Sequence, residues 1–273
     1  MPATGNKSYH PLSLSIRVYA DGFSFFVCDP QTSSLVRGEH FRNAEGVPVA
    51  QQMMQELCKP DYFNRQIDQA YVLICSPSTR VPLEGFHRDE AEDIYGFTFA
   101  HEDMTRLRVA YTILPQLESV ELYAIPRDIE ETILQFYPTA RFFASRAMLM
   151  ERFLNYDKDV DGAYRRLYLS PEAGGFTLLA FDNGHLAFAN TFAVSSTPDA
   201  LYFVLNVWQT LGLQAMKDHL VLCTTVDDEL RKAVAEYLMH VDVLSDIDLF
   251  PRVPLTREKE VPADLKALLL NRL

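Results

Sequence analysis

Two short segments of the chain combine an acidic side chain, glycine and a hydroxyl residue, the residue types that bind phosphate and Mg²⁺. In the first segment, Asp21-Gly22 is followed by Phe23 and Ser24. A carboxylate can hold Mg²⁺ through water, glycine lets the backbone approach a phosphate, and a hydroxyl can donate to it. Asp-Gly between two strand-like runs is also the ordinary signal of a hairpin turn, and the bulky Phe23 separates the glycine from the hydroxyl. The sequence favours a plain hairpin turn here.

The second segment comes closer to a phosphate-binding turn. Glu172 precedes Gly174-Gly175, and Thr177 follows. Two adjacent glycines could approach a phosphate, and the Thr177 hydroxyl could donate to it. Two glycines can also simply close a hairpin, and glutamate is one methylene longer than aspartate, which changes the geometry of a metal site. Both interpretations stay open, and the hairpin is favoured.

Strand-like and helical runs surround both segments in the same order. Apolar residues at every second position predict strands, and apolar residues at helical spacing predict helices. In the first half, the order strand, strand, strand, helix, strand covers Leu12–Tyr19, Phe23–Asp29, Leu35–Phe41, Pro48–Cys58 and Tyr71–Cys75. In the second half, it covers Leu167–Leu169, Phe176–Asp182, Leu186–Phe192, a helix from an N-cap at Thr197 to Gly212, and His219–Cys223. The alternation in Leu12–Tyr19 also predicts that this strand buries only one face.

The two halves align residue by residue around the turns. Gly22–Asp29 (GFSFFVCD) matches Gly175–Asp182 (GFTLLAFD) at an offset of 153 (175 − 22). A match over eight residues could arise by chance, but the common order of five elements favours an internal duplication. A period of this size indicates two similar subdomains rather than a solenoid. Phe23 and Phe176 are therefore predicted to occupy equivalent positions.

Further strands and helices complete each half. The first half adds a strand, a helix, a strand and a helix over Ser119–Ile125, Arg127–Tyr137, Arg141–Phe143 and Ala144–Leu154. The second half adds a helix, a strand and a helix over Asp227–Met239, Val241–Leu244 and Pro262–Leu273. The polar stretch 155–163 is the best linker by composition. We expect a first subdomain over 1–157, with an insertion at about 76–114, and a second over 158–273.

The insertion carries possible cation ligands and several aromatic residues. His87–Asp93 is rich in carboxylates, but a solvated acidic helix is the favoured interpretation over a hard-cation site. Its aromatic residues are predicted to belong to a core rather than to a recognition surface; they are Phe86, Tyr95, Phe97 and Phe99. Trp208 is predicted to be buried on its helix.

Three antiparallel strands, a crossover helix and further strand–helix units, present twice, resemble the actin-like ATPase fold, a duplicated α/β, ribonuclease H-like architecture. This group includes actin, heat-shock chaperone ATPases, sugar kinases, FtsA and PilM. The stretch 167–192 resembles the opening of the second PilM subdomain, and 120–154 resembles the strand–helix–strand–helix before it in PilM and GspL proteins. The whole chain is most similar to an uncharacterised Bacteroidetes family with an actin-like fold.

The resemblance implies a nucleotide site between the halves, but the sequence departs from its pattern. Active members have Asp-x-Gly and a small hydroxyl residue at the first turn and Asp-x-Gly-Gly-x-Thr at the second. They also have Gly-Gly after the strand at the adenosine, where this chain has Thr224-Thr225. Threonine is β-branched and poorly suited to such a close approach. If a nucleotide binds, the resemblance implies these residues: Asp21, Gly22, Ser24, Glu172, Gly174, Gly175, Thr177 and Thr224.

Two functions follow as hypotheses. The first is a non-hydrolysing member of the fold that acts as a binding or assembly module, with a protein partner and no cofactor, metal or catalytic residue. The second is an ATP-binding enzyme, either an ATPase or a small-molecule kinase, that uses ATP and Mg²⁺ in the cleft between the halves. The weakened signatures favour the first.

Charge and composition bound the partners and the compartment. The formal net charge is −12, so the chain would repel nucleic acid, and no basic cluster offsets this. The first fifteen residues lack the apolar core of a signal peptide, and no apolar run is long enough to span a membrane. The four dispersed cysteines favour buried free thiols over disulfides or a metal site. We expect a cytoplasmic protein that does not insert into membranes.

Overall fold

The computed structural model describes residues 11–59, 67–160, 162, 164–172, 174–182, 184–223 and 226–270. Within these ranges, the first half contains β1 (Leu12–Tyr19), β2 (Gly22–Asp29), β3 (Ser34–Arg42), α1 (Val49–Leu57), β4 (Ile67–Ile74), β5 (Ser78–Pro82), α2 (Ala91–Thr98), β6 (Leu107–Leu114), β7 (Ser119–Pro126), α3 (Arg127–Phe136), β8 (Arg141–Ala144) and α4 (Ser145–Asp159). The second half contains β9 (Arg166–Glu172), β10 (Gly175–Asp182), β11 (His185–Ala193), α5 (Thr197–Thr210), β12 (His219–Cys223), α6 (Asp228–Ala235), β13 (His240–Leu244), α7 (Asp246–Leu249) and α8 (Ala263–Leu270).

The two halves share one sheet topology, which confirms the predicted duplicated α/β fold. The strand orders are β3-β2-β1-β4-β8 and β11-β10-β9-β12-β13. Phe23 pairs with Phe41 across the first hairpin, and Phe176 pairs with Phe192 across the second. The register of both hairpins shifts at equivalent places, after Val27 and after Ala180. A shared bulge is a detail that two unrelated sheets would not be expected to have in common.

A third, small sheet interrupts the common order in the first half. Its strand order is β5-β7-β6, and all its pairs are antiparallel. The segment outside the common layout therefore includes β7, which pairs with β5 and β6 rather than with the main sheet. Helix α2 packs on this sheet, where Tyr95 is buried, but Phe97 is 90% exposed. The prediction of a core position is wrong for Phe97, because the side of α2 opposite Tyr95 faces solvent.

Both faces of β1 are buried, so the prediction of one exposed face is wrong. Ser13, Ser15 and Arg17, on the face predicted to be exposed, are all buried. The reason is that β1 is the middle strand of a sheet that is packed on both faces, so that neither of its faces meets solvent. On the face that carries Arg17, this side chain contacts Asp264 of α8.

Two helices join the halves. α4 ends the first half and packs against α8, which ends the second. Leu265, Leu268 and Leu269 of α8 are buried, in a core cluster that also holds residues of both main sheets. Leu14 and Tyr168, one from each half, belong to this cluster. The predicted closing helix is confirmed over its described residues, and one core cluster contains residues of both halves.

Several element ends differ from the expectations. The N-cap of α5 is Ser196, whose hydroxyl accepts from the backbone N–H of Asp199, and not Thr197. α6 ends at Ala235, four residues before the predicted end. α4 continues to Asp159 through the first part of the predicted linker. In this last part of the helix, Asp157 accepts hydrogen bonds from Arg166 and Tyr168 of β9. The division of the chain near residue 157 stays a prediction.

Candidate functional site

The first predicted turn is a tight hairpin between β1 and β2. Tyr19 pairs with Gly22, which leaves Ala20 and Asp21 as the turn. A Cβ atom at Gly22 would lie 2.1 Å from the carbonyl oxygen of Phe41 in β3. The close approach of two strands therefore requires glycine at this position, without any ligand.

The second predicted turn repeats this arrangement. Glu172 pairs with Gly175, and a Cβ atom at Gly175 would lie 1.9 Å from the carbonyl oxygen of Phe192 in β11. Gly174 has a φ of +76°, a conformation that favours glycine. Both predicted glycines of this turn thus have a structural reason to be there.

The backbone carbonyls at the two turns are also used in the same way. The N–H of Asn43 donates to the carbonyl oxygen of Asp21 over 2.8 Å. The N–H of Val194 donates to that of Gly174 over 3.0 Å. Each turn is therefore tied to the residue that follows the next strand, which is β3 in the first half and β11 in the second.

The hydroxyl groups of the two turns bond to neighbouring side chains. Ser24 Oγ lies 2.8 Å from His40 Nδ1. Thr177 Oγ1 donates to Glu172 and lies 2.8 Å from Thr191 Oγ1. A phosphate at these turns would have to compete with these partners for the hydroxyl hydrogen bonds.

Glu172 is in an environment that disfavours its charge. Burial, and then the nearby carboxylate of Asp264, raise the pKa of Glu172, although the Thr177 hydroxyl and Arg17 act in the opposite direction. Mg²⁺ binds the charged carboxylate, which this environment makes less favourable. This adds an electrostatic objection to the geometric one raised by its extra methylene.

A cavity of about 510 Å³ lies between the halves and brings part of the predicted set together. Asp21, Ser24, Glu172 and Gly174 line it. Gly22, Gly175 and Thr177 do not line it; they serve the hairpins beside it. Thr224 lies outside the described residues. Four of the eight predicted residues therefore line one cavity.

A buried ion pair lies beside this cavity, where β1 meets the first turns of α4 and α8. Arg17, which lines the cavity, donates from Nε to Asp264 Oδ2 over 2.7 Å. The two side chains are 6% and 2% exposed. Ser145, the first residue of α4, donates to the same carboxylate oxygen over 2.5 Å. Burial alone would lower the pKa of Arg17, but the attraction of Asp264 raises it, so the guanidinium stays charged.

A second cavity, of about 340 Å³, lies on the other side of Glu172. Its wall includes Arg146, which is paired with the buried Glu121 over 2.6 Å and donates to the carbonyl oxygen of Ser78 over 2.7 Å. The buried Arg17 and the largely buried Arg146, which line the cavities around Glu172, are thus both paired with buried carboxylates.

The cavity walls offer shape and hydrogen bonding rather than an activated nucleophile. Cys223 lines the larger cavity, and burial raises the pKa of its thiol to about 12, so the thiol stays protonated at neutral pH. Among the described residues, no group of three or more His, Cys, Asp or Glu side chains could hold a metal ion.

Sequence reasoning missed Arg17, Ser145 and Asp264. Arg17 gave a signal, because it is the one charged residue in an otherwise apolar and small-polar strand. Asp264 gave none, because the two partners are 247 residues apart and long-range ion pairs leave no local pattern.

Two similar halves with a cleft between them define the fold of this protein as the actin-like ATPase fold. A crystal structure from Bacteroides thetaiotaomicron, described as having this fold and unknown function, is similar over 98% of this chain and 99% of that chain, with 23% identity and a TM-score of 0.79. PilM, in a structure of the PilM–PilN type IV pilus biogenesis complex, is similar over 94% of this chain and 97% of that chain, with 13% identity and a TM-score of 0.52.

The sequence identifies the family. The family model described as Protein of unknown function (DUF3822) matches residues 5–241, and the chain belongs to this family. Among curated proteins, none matches the chain. Within the described ranges, none of the helices has the length and apolar character needed to cross a membrane.

Proposed function

We propose that this protein is a non-hydrolysing member of the actin-like fold that acts as a binding or assembly module. The observation that carries the proposal is the buried pair of Arg17 and Asp264 beside the cleft cavity. In active members, to which the sequence shows a resemblance, the phosphates lie between the two hairpin turns. Here the buried cation beside both turns already has a carboxylate partner from the last helix.

The energies support this reading. A nucleotide that took Arg17 from Asp264 would leave a buried carboxylate unpaired, which costs about 3–5 kcal/mol. A ligand with a Kd of 100 μM has a total binding free energy of about −5.5 kcal/mol. The cost of breaking the pair would consume most of that binding energy. The glycines of the turns do not argue for phosphate, because the hairpins already require them.

A protein is the partner that we favour. PilM, which shares the fold, is present in a complex with PilN. The net charge of −12 disfavours nucleic acid as an alternative. The four cysteines are free, which supports our placing of the protein in the reducing cytoplasm.

Calorimetric titration with Mg·ATP tests the proposal. We expect no binding heat from the wild-type protein at millimolar nucleotide. Binding tighter than about 100 μM would contradict it. Asp264→Asn is the informative variant, because it removes the competing charge while leaving an oxygen for Ser145. If the ion pair is what blocks phosphate, Asp264→Asn should bind Mg·ATP more tightly than the wild type.

The second candidate is an ATP-binding enzyme that uses the same cleft. The observation in its favour is the cavity of about 510 Å³, which both turns border and which is large enough for a small ligand. Under this alternative, the wild type binds Mg·ATP in the same titration and releases phosphate. Glu172→Gln should then weaken the binding, since Glu172 is the carboxyl group of the closer-matching turn.

A further inference from the structure

β13 is the end strand of the main sheet in the second half, among the strands that the structure describes. β13 (His240–Leu244) pairs in parallel with β12 through five residue pairs. Among the strands that the structure describes, none pairs with its other side. An edge strand presents backbone N–H and C=O groups that can pair with another chain.

The equivalent edge of the first half is covered. β8 holds the position in the first sheet that β13 holds in the second. The small inserted sheet lies against β8, where the guanidinium of Arg108 in β6 is 6.0 Å from the ring centre of Phe142. The second half has no inserted sheet between β12 and α6, where only residues 224–227 intervene. The edge strand of the main sheet is thus covered in the first half, at β8, and open in the second half, at β13.

Large apolar side chains are exposed around this edge. Met239 and Val243 are 62% and 47% exposed, and the backbone of Met239 bonds to Ala215, which brings the 215–216 segment beside it. Met216, in that segment, is also exposed, as are Tyr237 and Ile247, which lie close to β13 in the chain. Tyr and Met are enriched at protein interfaces, and a cluster of exposed apolar residues marks an interaction site.

The charge of the edge selects a basic partner. The segment 236–248 contains no Lys or Arg, and its acidic residues are Glu236, Asp242, Asp246 and Asp248. Asp246 is paired with the buried Lys266. Asp242, in the middle of the strand, bonds to His219 through Oδ2, and its side chain is still 55% exposed. An arriving strand with a Lys or Arg opposite Asp242 would form a favourable cross-strand pair.

A second copy of this chain fits the edge poorly. An antiparallel pair of two β13 strands centres on Asp242, which would place the two carboxylates opposite each other. Like charges directly opposite each other destabilise a sheet. The occupant that the edge favours therefore differs in charge from β13.

We infer that the outer edge of β13 binds an extended segment of a partner protein and takes it as a sixth strand of the second sheet. In this segment, apolar residues that pack beside Val243 alternate with basic residues that face Asp242, since successive side chains of a strand point to opposite faces. The inference rests on the proposed role as a binding module and names the surface that serves it.

A peptide-library selection against the full-length protein tests the inference. Random ten-residue peptides displayed on phage are selected on the wild type, and the winners are synthesised and titrated. We expect peptides with alternating apolar and basic residues. Asp242→Lys should weaken their binding about tenfold or more, while Glu84→Lys, the same charge change at an exposed site in the inserted segment, should leave it unchanged.

Backbone methylation of the selected peptide separates strand addition from side-chain docking. N-methyl groups on the alternate residues that face β13 should abolish binding, and methyl groups on the other residues should be tolerated. Val243→Ser gives a second variant at an exposed position, and we expect it to weaken binding too.

Three outcomes overturn the inference. They are the absence of any selected peptide, peptides whose binding is indifferent to Asp242→Lys and Val243→Ser, and a wild-type dimer in sedimentation analysis that Asp242→Lys abolishes. None of these affects the nucleotide titration, so a failure here is distinct from a failure of the proposed function.

Discussion

Arg17 and Asp264 stand 247 residues apart in the chain and form a buried ion pair with 2.7 Å between Nε and Oδ2. The pair joins the central strand of the first sheet to the last helix, which closes the second half. This contact therefore links the two halves. It also pairs the buried guanidinium beside the cleft with a carboxylate. Because Ser145 bonds to the same carboxylate, α4 takes part in the link.

Asp264→Ala should destabilise the protein strongly. The change leaves the charge of Arg17 buried without a partner, and breaking a buried pair in this way costs about 3–5 kcal/mol. Urea unfolding at neutral pH measures the loss. A loss under about 1 kcal/mol would show that water reaches Arg17 and that the pair is not structurally important.

The double variant Arg17→Met with Asp264→Leu is the control for this result. Replacing both charges by apolar side chains of similar size is often neutral or stabilising. We expect it to recover most of the stability that Asp264→Ala loses, which would assign the loss to the unpaired charge.

Gly175→Ala should be costly although alanine is ordinarily acceptable in strands. The new Cβ atom would lie 1.9 Å from the carbonyl oxygen of Phe192, so the backbone of the hairpin must move. We expect a loss of about 1–3 kcal/mol in thermal or urea unfolding. Gly96→Ala in α2 is the matched control. Its Cβ would be 3.8 Å from Met104, and the helix should gain about 0.5–1 kcal/mol. Equal effects of the two changes would contradict the argument.

The sequence predicted the fold far better than the site, and the residues show why. Hydrophobic periodicity and turn residues are local, so β2 and β10 could be aligned from eight residues each. The burial of Arg17 depends on Asp264 of α8, which lies at the other end of the chain and leaves no trace in the strand's own pattern. The turn glycines were visible, but their reason, the approach of Phe41 and Phe192, is a contact between strands.

Trp208→Ala should remove about 3–5 kcal/mol of stability, because the side chain is only 5% exposed in the core of the second half. Its indole N–H is buried and has no acceptor among the described residues. Trp208→Phe removes that orphaned donor while keeping an aromatic ring, so it should cost about 1 kcal/mol. Guanidinium unfolding of both variants makes the comparison. A loss for Trp208→Phe as large as that for Trp208→Ala would mean that the N–H has a partner.

Glu172→Gln should change how stability depends on pH. Burial raises the pKa of Glu172 in the folded protein, so the folded state holds its proton to a higher pH than the unfolded chain, where glutamate titrates near about 4.3. In that window the unfolded state ionises first, and the wild type loses stability as pH rises. Glutamine has no such loss and can still accept from Thr177. The difference in unfolding free energy, variant minus wild type, should therefore grow from pH 4 to pH 7. Glu84→Gln, at an exposed position, corrects for the loss of one charge, and a corrected difference that stays flat or shrinks would show that Glu172 is solvated.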